Sequence, residues 1–400
     1  MALKSAIEAA YFFQQEKLKQ SKHVVARNKN LSMATDNDFV QVISGVRRCG
    51  KSTVLNFLIS KYKKVAYLNF EDLRILNFEV ADFYKLEEIV PKNIEAYFFD
   101  EIQNVPQWEL YVRQMHDYGK KVFVTGSNAS LLSKDLGTRL KGRYLNTELF
   151  PFSFQEFLVF EKKQANAQTL ENYLKRGGFP EFLKTKNEEV LQNLFKDIVL
   201  RDIAIRHGVR NTKVLVDVAL FLLSNIGKET TYTSLKNTFQ IGSTNTVIDY
   251  LSWLEDAYLL FFLSRFSWSA KSVSVNPRKV YAIDNGLINA NSLSFSQDKG
   301  RILENAIYIY LRNNGTKMFY FKEKHECDFV LFEKEKCTTA LQVCCEINND
   351  NQTRETSGLL EAMTFFDLQQ GYIITQNQKD TLQVDDKTIF LIPAFEYFMQ

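Results

Sequence analysis

The sequence is short of proline and glycine, with 6 and 16 of them in 400 residues. That excludes a collagen-like or low-complexity chain. No apolar run approaches the roughly 20 residues that span a bilayer, so no membrane partner is expected. Residues 1–30 read as a mixed polar helix without the apolar core of a signal peptide. An excess of one charge sign is lacking too: 50 Lys and Arg against 47 Asp and Glu leave +3. So even a balance gives no global argument for nucleic acid, and any such partner has to come from a local patch. Five cysteines (Cys49, Cys327, Cys337, Cys344, Cys345) make an odd count with no metal-type C-x-x-C pair. A reduced, cytoplasmic chain follows most simply. The four histidines (His23, His116, His207, His325) lie far apart and show no ligand spacing.

What is present suffices for real cores. Hydrophobic residues are 45%, charged residues 24%, and 33 residues are Phe. Disorder of the whole chain is excluded. A length of 400 residues suggests about two to four domains. Short apolar runs at Phe39–Ser44, Val65–Asn69, Ala96–Asp100 and Lys121–Thr125 read as strands. Helical spacing lies between them at Thr53–Lys61, Val80–Ile89 and Trp108–Tyr118. That alternation predicts βαβ units and a mostly parallel sheet, closing near Pro151. Helical patterns follow at Leu170–Lys175, Val190–Asp202, Val214–Ser224, Thr233–Thr238 and Thr244–Asp256, with Thr233 and Ser243 as N-caps. An alternating stretch, Leu259–Val275, a turn at Asn276-Pro277 and a strand at Lys279–Ile283 complete the outline of a winged helix. The last block carries helices at Ile302–Asn313 and Glu355–Leu368. Its strands are expected at Lys317–Phe321, Asp328–Phe332, Ala340–Ile347 and Gly371–Thr375.

The strongest chemical signal is Gly45-Val46-Arg47-Arg48-Cys49-Gly50-Lys51-Ser52, a full match to G-x-x-x-x-G-K-[ST] between a strand and a helix. Gly45 and Gly50 allow a tight turn that aims successive N–H groups at phosphate oxygens. The helix N-terminus adds its positive end. Lys51 is expected on the β- and γ-phosphates of ATP, Ser52 on Mg²⁺, and Thr53 at the α-phosphate side. Strand Ala96–Asp100 then supplies Asp100 for the Mg²⁺ shell and Glu101 as general base for the attacking water. The Asp-Glu pair favours hydrolysis over simple binding. Ser127 or Asn128, at the end of the next strand, reads either as a γ-phosphate or water ligand or as a helix N-cap. Arg139 and Arg143 read either as fingers reaching a neighbouring subunit's nucleotide or as an exposed basic loop.

Gly45–Thr53, Phe99-Asp-Glu-Ile-Gln103, Thr125-Gly-Ser127 and Pro151-Phe-Ser-Phe-Gln-Glu-Phe157 together resemble the AAA-type P-loop ATPases of bacteria and archaea. In these a C-terminal region of unknown function follows the ATPase module. Gly177-Gly-Phe-Pro-Glu181, Arg201-Asp202-Ile, Tyr281-Ala-Ile-Asp284-Asn-Gly, Leu303-Glu304-Asn305 and Cys327-Asp328-Phe329-Val extend the resemblance over nearly the whole chain. It implies an ATP-binding fold and ATPase activity. The expected class is α/β: a P-loop NTPase parallel sheet, a helical and winged-helix region, then a small restriction-endonuclease-like α/β domain. The expected segments are 1–30, 31–155, 156–211, 212–285 and 286–400.

Two further readings concern the C-terminal half. From Lys213 to Asp256 there are 3 basic and 5 acidic residues, which argues against a phosphate footprint on those helices. From Phe261 to Tyr281 there are Arg265, Lys271, Arg278 and Lys279 with no acid, interleaved with Trp268. This wing is the place where DNA could be touched; packing or subunit contact is the other reading. Glu304 and Asp328 have the layout of a restriction-endonuclease site. Its Glu and Lys positions fall on Gln342 and Cys344, with Glu346 on the same face, so the site is expected to be degenerate. ATP-driven rearrangement in a self-associating Mg²⁺-dependent ATPase is the leading expectation. A nucleotide-switched DNA-binding or scaffold protein is the second, and a metal-dependent nuclease the third.

Overall fold

The computed structural model describes residues 1–20, 27, 38–128, 140, 142–293 and 298–400. Their contacts divide the chain into two units, Met1–Phe150 and Pro151–Gln400. Arg139 lies outside the described residues, as do 21–26 and 28–30 of the N-terminal segment.

In the first unit, β1 (Val40–Gly45), β2 (Val65–Asn69), β3 (Ala96–Asp100), β4 (Lys121–Gly126) and β5 (Tyr144–Leu149) form one sheet. The strand order is β2-β3-β4-β1-β5, and every pairing is parallel. Central parallel strands are covered on both faces and therefore read as continuous apolar runs. That is why β1, β3 and β4 are legible in the sequence. Strand β5 is an edge strand whose residues stay largely half-exposed or exposed. Its Tyr-Leu-Asn-Thr-Glu-Leu composition carries no such run, so the basic loop expected around Tyr144 proves to run into a strand. Among the described residues the α-helices of this unit are α1 (Lys4–Gln20), α2 (Lys51–Ile59), α3 (Asp82–Ile89) and α4 (Trp108–Asp117). Ile7, Ala10 and Tyr11 of α1 are buried, in one apolar cluster with Phe70, Phe83, Phe99 and Tyr111. Within it Phe83 stacks on Tyr111 at 4.0 Å between ring centroids.

The second unit begins with α5 (Phe154–Glu161), started by a capping box in which Ser153 and Glu156 satisfy each other's backbone N–H. Helices α6 (Ala167–Arg176), α7 (Pro180–Thr185) and α8 (Glu189–Lys196) follow, and α8 runs on as π-turns over Asp197–Ile205. Next come α9 (Thr212–Leu223), β6 (Glu229–Thr230), α10 (Tyr232–Thr238) and α11 (Thr244–Asp256). Strands β7 (Leu260–Ser264) and β8 (Arg278–Ala282) then pair with β6 in an antiparallel sheet ordered β6-β8-β7. Ser243 caps α11 as expected, but α10 is capped by Thr231, not Thr233. The alternation expected to run to Val275 stops at Ser264. Ala270–Val275 is a short helix, α12, because the Ser269 side chain accepts from Ser272 N–H and starts a turn.

After α13 (Asn285–Asn291) and α14 (Lys299–Asn313) come β9 (Lys317–Lys322), β10 (Glu326–Glu333), β11 (Lys336–Val343), α15 (Gln352–Phe365), β12 (Gln370–Thr375), β13 (Asp380–Val384) and β14 (Lys387–Pro393). These strands make a mixed sheet ordered β13-β14-β12-β11-β10-β9. Strand β11 ends at Val343, short of the expected Ile347. The two sheets of this unit touch: Arg265 bridges Tyr320, and Phe266 N–H donates to the Tyr320 carbonyl at 2.8 Å. Phe266 then packs among Phe319, Phe332 and Phe366.

Several residues of the C-terminal resemblance have a structural role. The Asp284 carboxylate accepts from Gly178 N–H at 2.6 Å and from Leu287 N–H at 3.2 Å. A Cβ on Gly177 would lie 2.1 Å from an Asp284 oxygen. Burial pushes the Asp284 carboxyl up to about 6, although those N–H groups pull the other way.

Candidate functional site

The site is built where β1, β3 and β4 end. Strand β1 delivers the chain to Gly45, whose φ is +151° and whose missing Cβ would stand 2.1 Å from the Leu149 carbonyl oxygen. Gly50, just before α2, has φ +105°. Both glycines are therefore demanded by the backbone path. Gly45→Ala is expected to lower stability by about 1–3 kcal/mol, read as a lower melting temperature against wild type. Between them Val46 and Cys49 are buried, Arg48 takes a left-handed φ of 63°, and Arg47 donates to Glu71 at 3.0 Å. Burial pushes the Cys49 thiol up, so it is no nucleophile. Ser52 and Thr53 are exposed on the first turn of α2.

Lys51 is only 4% exposed. Its ammonium donates to the Gly45 and Val46 carbonyls at 3.1 Å each and to Ser127 Oγ at 2.9 Å. It also lies 3.5 Å from a Glu101 oxygen. Burial alone would lower the Lys51 pKa; Glu101 first, with Cys49 and Asp100 behind it, together outweigh burial and hold the ammonium above the ordinary lysine value.

Glu101 sits one residue beyond β3 with a left-handed φ of 53°. That backbone turn aims its side chain along the sheet end, where Ser127 Oγ is 2.9 Å from both carboxylate oxygens and Gln103 Nε2 donates at 2.5 Å. Burial favours the neutral acid here. Lys51 and the hydrogen bonds from Gln103 and Ser127 overcome it, so Glu101 is held below the usual range and ionised. Asp100 is fully buried. One oxygen accepts from the Thr125 hydroxyl, the other from Tyr67 Oη at 3.1 Å and Asn69 Nδ2 at 3.3 Å. Burial and the neighbouring Glu101 charge raise its pKa, while Thr125 and Ser52 bonds pull it down. A cavity of about 340 Å³ between α1 and the end of β2 shares Tyr67 and Asn69 with this carboxylate.

Lys51, Ser52, Asp100, Glu101 and Ser127 are thus brought together as the sequence anticipates. Ser127 contacts Lys51 and Glu101 here; the helix-cap reading falls on residues 129–139, outside the described ones. Asn128, next in the chain, is buried. Arg143 is not brought to the site. It precedes β5 at the opposite end of the sheet, where its carbonyl accepts from Val40 N–H and its guanidinium donates to Asp117. Five residue steps of strand separate Val40 from Gly45, roughly 16 Å. Sequence reasoning gave no role to Thr125 and Gln103, although both lie in the motifs that carry the resemblance, and it missed Tyr67, Asn69 and Arg27, whose Nη1 donates to the Cys49 carbonyl at 2.7 Å. Thr125 also carried a signal as a hydroxyl at the end of an apolar strand.

A second polar cluster lies in the other unit, and it bears on two of the expectations above. Lys279, counted above in the basic wing, is 1% exposed. Its ammonium lies 2.7 Å from Glu326, 2.8 Å from Asp328 and 3.1 Å from Glu304. Burial would lower its pKa, but Asp328 and Glu304 hold it well above the ordinary value. Tyr281 Oη donates to Glu304 at 2.6 Å. Gln342 accepts from Asp328 N–H at 3.1 Å and donates to Glu355 at 3.1 Å. Cys344 lies past the end of β11, with its thiol on the Glu346 carbonyl. The acids that a metal-dependent nuclease would need therefore surround a lysine. Among the described residues no group of three or more His, Cys, Asp or Glu side chains is placed to hold a metal ion. The wing is correspondingly less basic than its composition. Arg265 pairs with Glu323 at 3.6 Å and Arg278 stands over the Tyr232 ring. Lys271 remains on the exposed helix α12, near Trp268, which is 74% exposed.

A five-stranded parallel sheet with this loop and strand-end carboxylates defines a P-loop NTPase fold of AAA type. Residues 37–158 match the AAA domain family, and residues 167–298 match a domain of unknown function, DUF8612. An uncharacterized protein of Methanocaldococcus jannaschii is 34% identical over 99% of this chain and 97% of its own. The chain belongs to that family, an AAA domain followed by a C-terminal domain of unknown function. An uncharacterized protein of Haemophilus influenzae is 33% identical over 85% of this chain and 91% of its own. Among solved structures, the replication initiator DnaA bound to AMPPCP and single-stranded DNA aligns with TM-score 0.30 and 13% identity, over 60% of this chain and 91% of that one. Cdc6p from Pyrobaculum aerophilum aligns with TM-score 0.29 and 13% identity, over 67% and 93%. Likeness that distant carries no argument about activity. Among the described residues no helix is long and apolar enough to cross a membrane.

Proposed function

We propose that the chain binds ATP with Mg²⁺ and hydrolyses it. The observation that carries this reading is the buried set Lys51–Ser127–Glu101 beside Asp100. The residues fit the ligand. The loop amides and the Lys51 ammonium would hold the phosphates, and Ser52 with Asp100 would hold Mg²⁺, which supplies charge neutralisation at the transferring phosphoryl group. Glu101 is ionised and can accept a proton from water. Its present partner Lys51 is the group that phosphate oxygens would draw away, so nucleotide binding would free the base. Lys51→Ala is expected to weaken ATP binding at least tenfold by equilibrium titration, because a buried charge-assisted contact is worth about 1.5–3 kcal/mol.

We read the arrangement α9-β6-α10-α11-β7-β8 as a winged helix, and the region after residue 286 as a degenerate nuclease-like scaffold. The segments 1–30, 31–155, 156–211, 212–285 and 286–400 are kept as the proposed division. Rearrangement of the C-terminal module on ATP turnover, and self-association through which Arg139 or Arg143 would reach a second copy, belong to the same proposal. DNA contact through the wing is the weaker reading, because Lys279 is unavailable for it. A steady-state ATPase assay with and without duplex DNA, beside light scattering for mass, tests the whole. Absence of Mg²⁺-dependent phosphate release and of ATP binding would overturn the central reading.

A further inference from the structure

We propose that Arg27 is a positioning residue of the phosphate loop. It clamps the Cys49 carbonyl to the Phe150 carbonyl, so that the loop's shape and the departing chain are set together. The ATP part of its test rests on the nucleotide reading above; the exchange part does not.

Arg27 is 4% exposed. Its Nη1 donates to the Cys49 carbonyl at 2.7 Å and its Nη2 to the Phe150 carbonyl at 2.7 Å. A permanently charged guanidinium is costly to bury, so its donors are spent where geometry matters. Cys49 is the residue before Gly50. In a trans peptide the C=O and N–H point opposite ways. Holding the Cys49 oxygen against Arg27 therefore turns the Gly50 N–H away from it, and that N–H is one of the amides the motif offers to phosphate. The Gly50 Cβ position stands 3.7 Å from Arg27 Nη1, an ordinary contact.

The other arm reaches the end of the unit. Phe150 follows β5 and is the last residue before the division of the chain at Pro151. Proline has no N–H, so the Phe150–Pro151 peptide has only its carbonyl to anchor it. The loop thus meets the exit of β5 twice. Gly45 pairs in register with Leu149, leaving no space for a Cβ, and Cys49 reaches Phe150 through Arg27. A displacement of the loop cannot leave residues 149–150 unmoved while both contacts hold. Lysine could not replace the residue, because a single ammonium lacks the two parallel arms of the planar fork.

The test is hydrogen–deuterium exchange on the full chain without nucleotide, comparing wild type with Arg27→Ala and Arg27→Lys. Arg27→Ala should raise exchange roughly tenfold in peptides spanning Gly45–Thr53 and in those covering the Leu149 region, with β3 and β4 unchanged. Arg27→Lys should give a smaller rise and stands in if Arg27→Ala does not fold. Exchange that rises in one segment alone, or evenly through the unit, would overturn the clamp. With ATP, Arg27→Ala should raise KM roughly tenfold with a much smaller change in kcat. Wild type that fails to bind ATP removes the nucleotide reading but leaves the exchange result to decide the clamp. Wild type that binds ATP, with Arg27→Ala at equal affinity, overturns this inference alone.

Discussion

Glu101→Gln will bind ATP about as well as wild type and hydrolyse it roughly 10²–10⁴-fold more slowly. The amide keeps the size and much of the hydrogen bonding of the carboxylate. Ser127 Oγ at 2.9 Å still has an oxygen to meet, and Gln103 still has an acceptor. What disappears is the ability to take a proton from water. The substitution also removes the charge that raises the Lys51 pKa and holds it 3.5 Å away. Lys51 is then held less tightly on the protein side, so affinity for ATP should stay level or rise slightly. The two effects are separated by single-turnover phosphate release beside equilibrium titration with ATP. Wild-type turnover in this variant would remove Glu101 from the chemistry. Lost binding with lost turnover would recast it as a support for the loop.

The parts of this site that could be read from sequence are those fixed by short-range patterning. Gly45 to Ser52 is one contiguous motif, and Asp100-Glu101 ends an apolar run whose burial on both faces makes it conspicuous. Ser127 stood out for the same reason. The parts that could not be read depend on what stands opposite in space. Arg27 meets Phe150 across a separation of 123 residues, with no motif around Arg27. Strand β5 escaped notice because an edge strand need bury only part of its surface. The wing shows the same limit most sharply. Counting Arg265, Lys271, Arg278 and Lys279 as one basic patch assumes that each faces water. Strand alternation instead turns Lys279 inward, onto acids supplied by α14 and β10. A composition count has no information about that choice.

Lys279→Met is therefore expected to act on stability, not on nucleic-acid binding. The loss should be about 3–5 kcal/mol in the second unit, because deleting one partner leaves buried carboxylates unneutralised. Glu304, Glu326 and Asp328 all lie within 3.1 Å of the ammonium. Lys322 still pairs with Glu326 at 3.2 Å, so Glu304 and Asp328 carry most of the penalty. The sign of the pH dependence follows. Burial and the Asp328 charge already lift Glu304 to about 7 in the folded chain, against 4.5 as its ordinary value. The folded state thus holds this proton more tightly than the unfolded state does, and the Glu304 contribution falls as pH rises from about 4.5 to 7. Without the ammonium the carboxylate becomes harder still to ionise, so the deficit of Lys279→Met should be largest near neutral pH and shrink on acidification. Glu304→Gln placed on Lys279→Met should recover part of the loss, since an amide can still accept from Tyr281 without a charge to bury. Urea melts of the three proteins at pH 5 and pH 8 measure this. Equal midpoints for Lys279→Met and wild type at both pH values would mean that the lysine is not the counter-charge of the cluster, and the wing would regain its fourth cation.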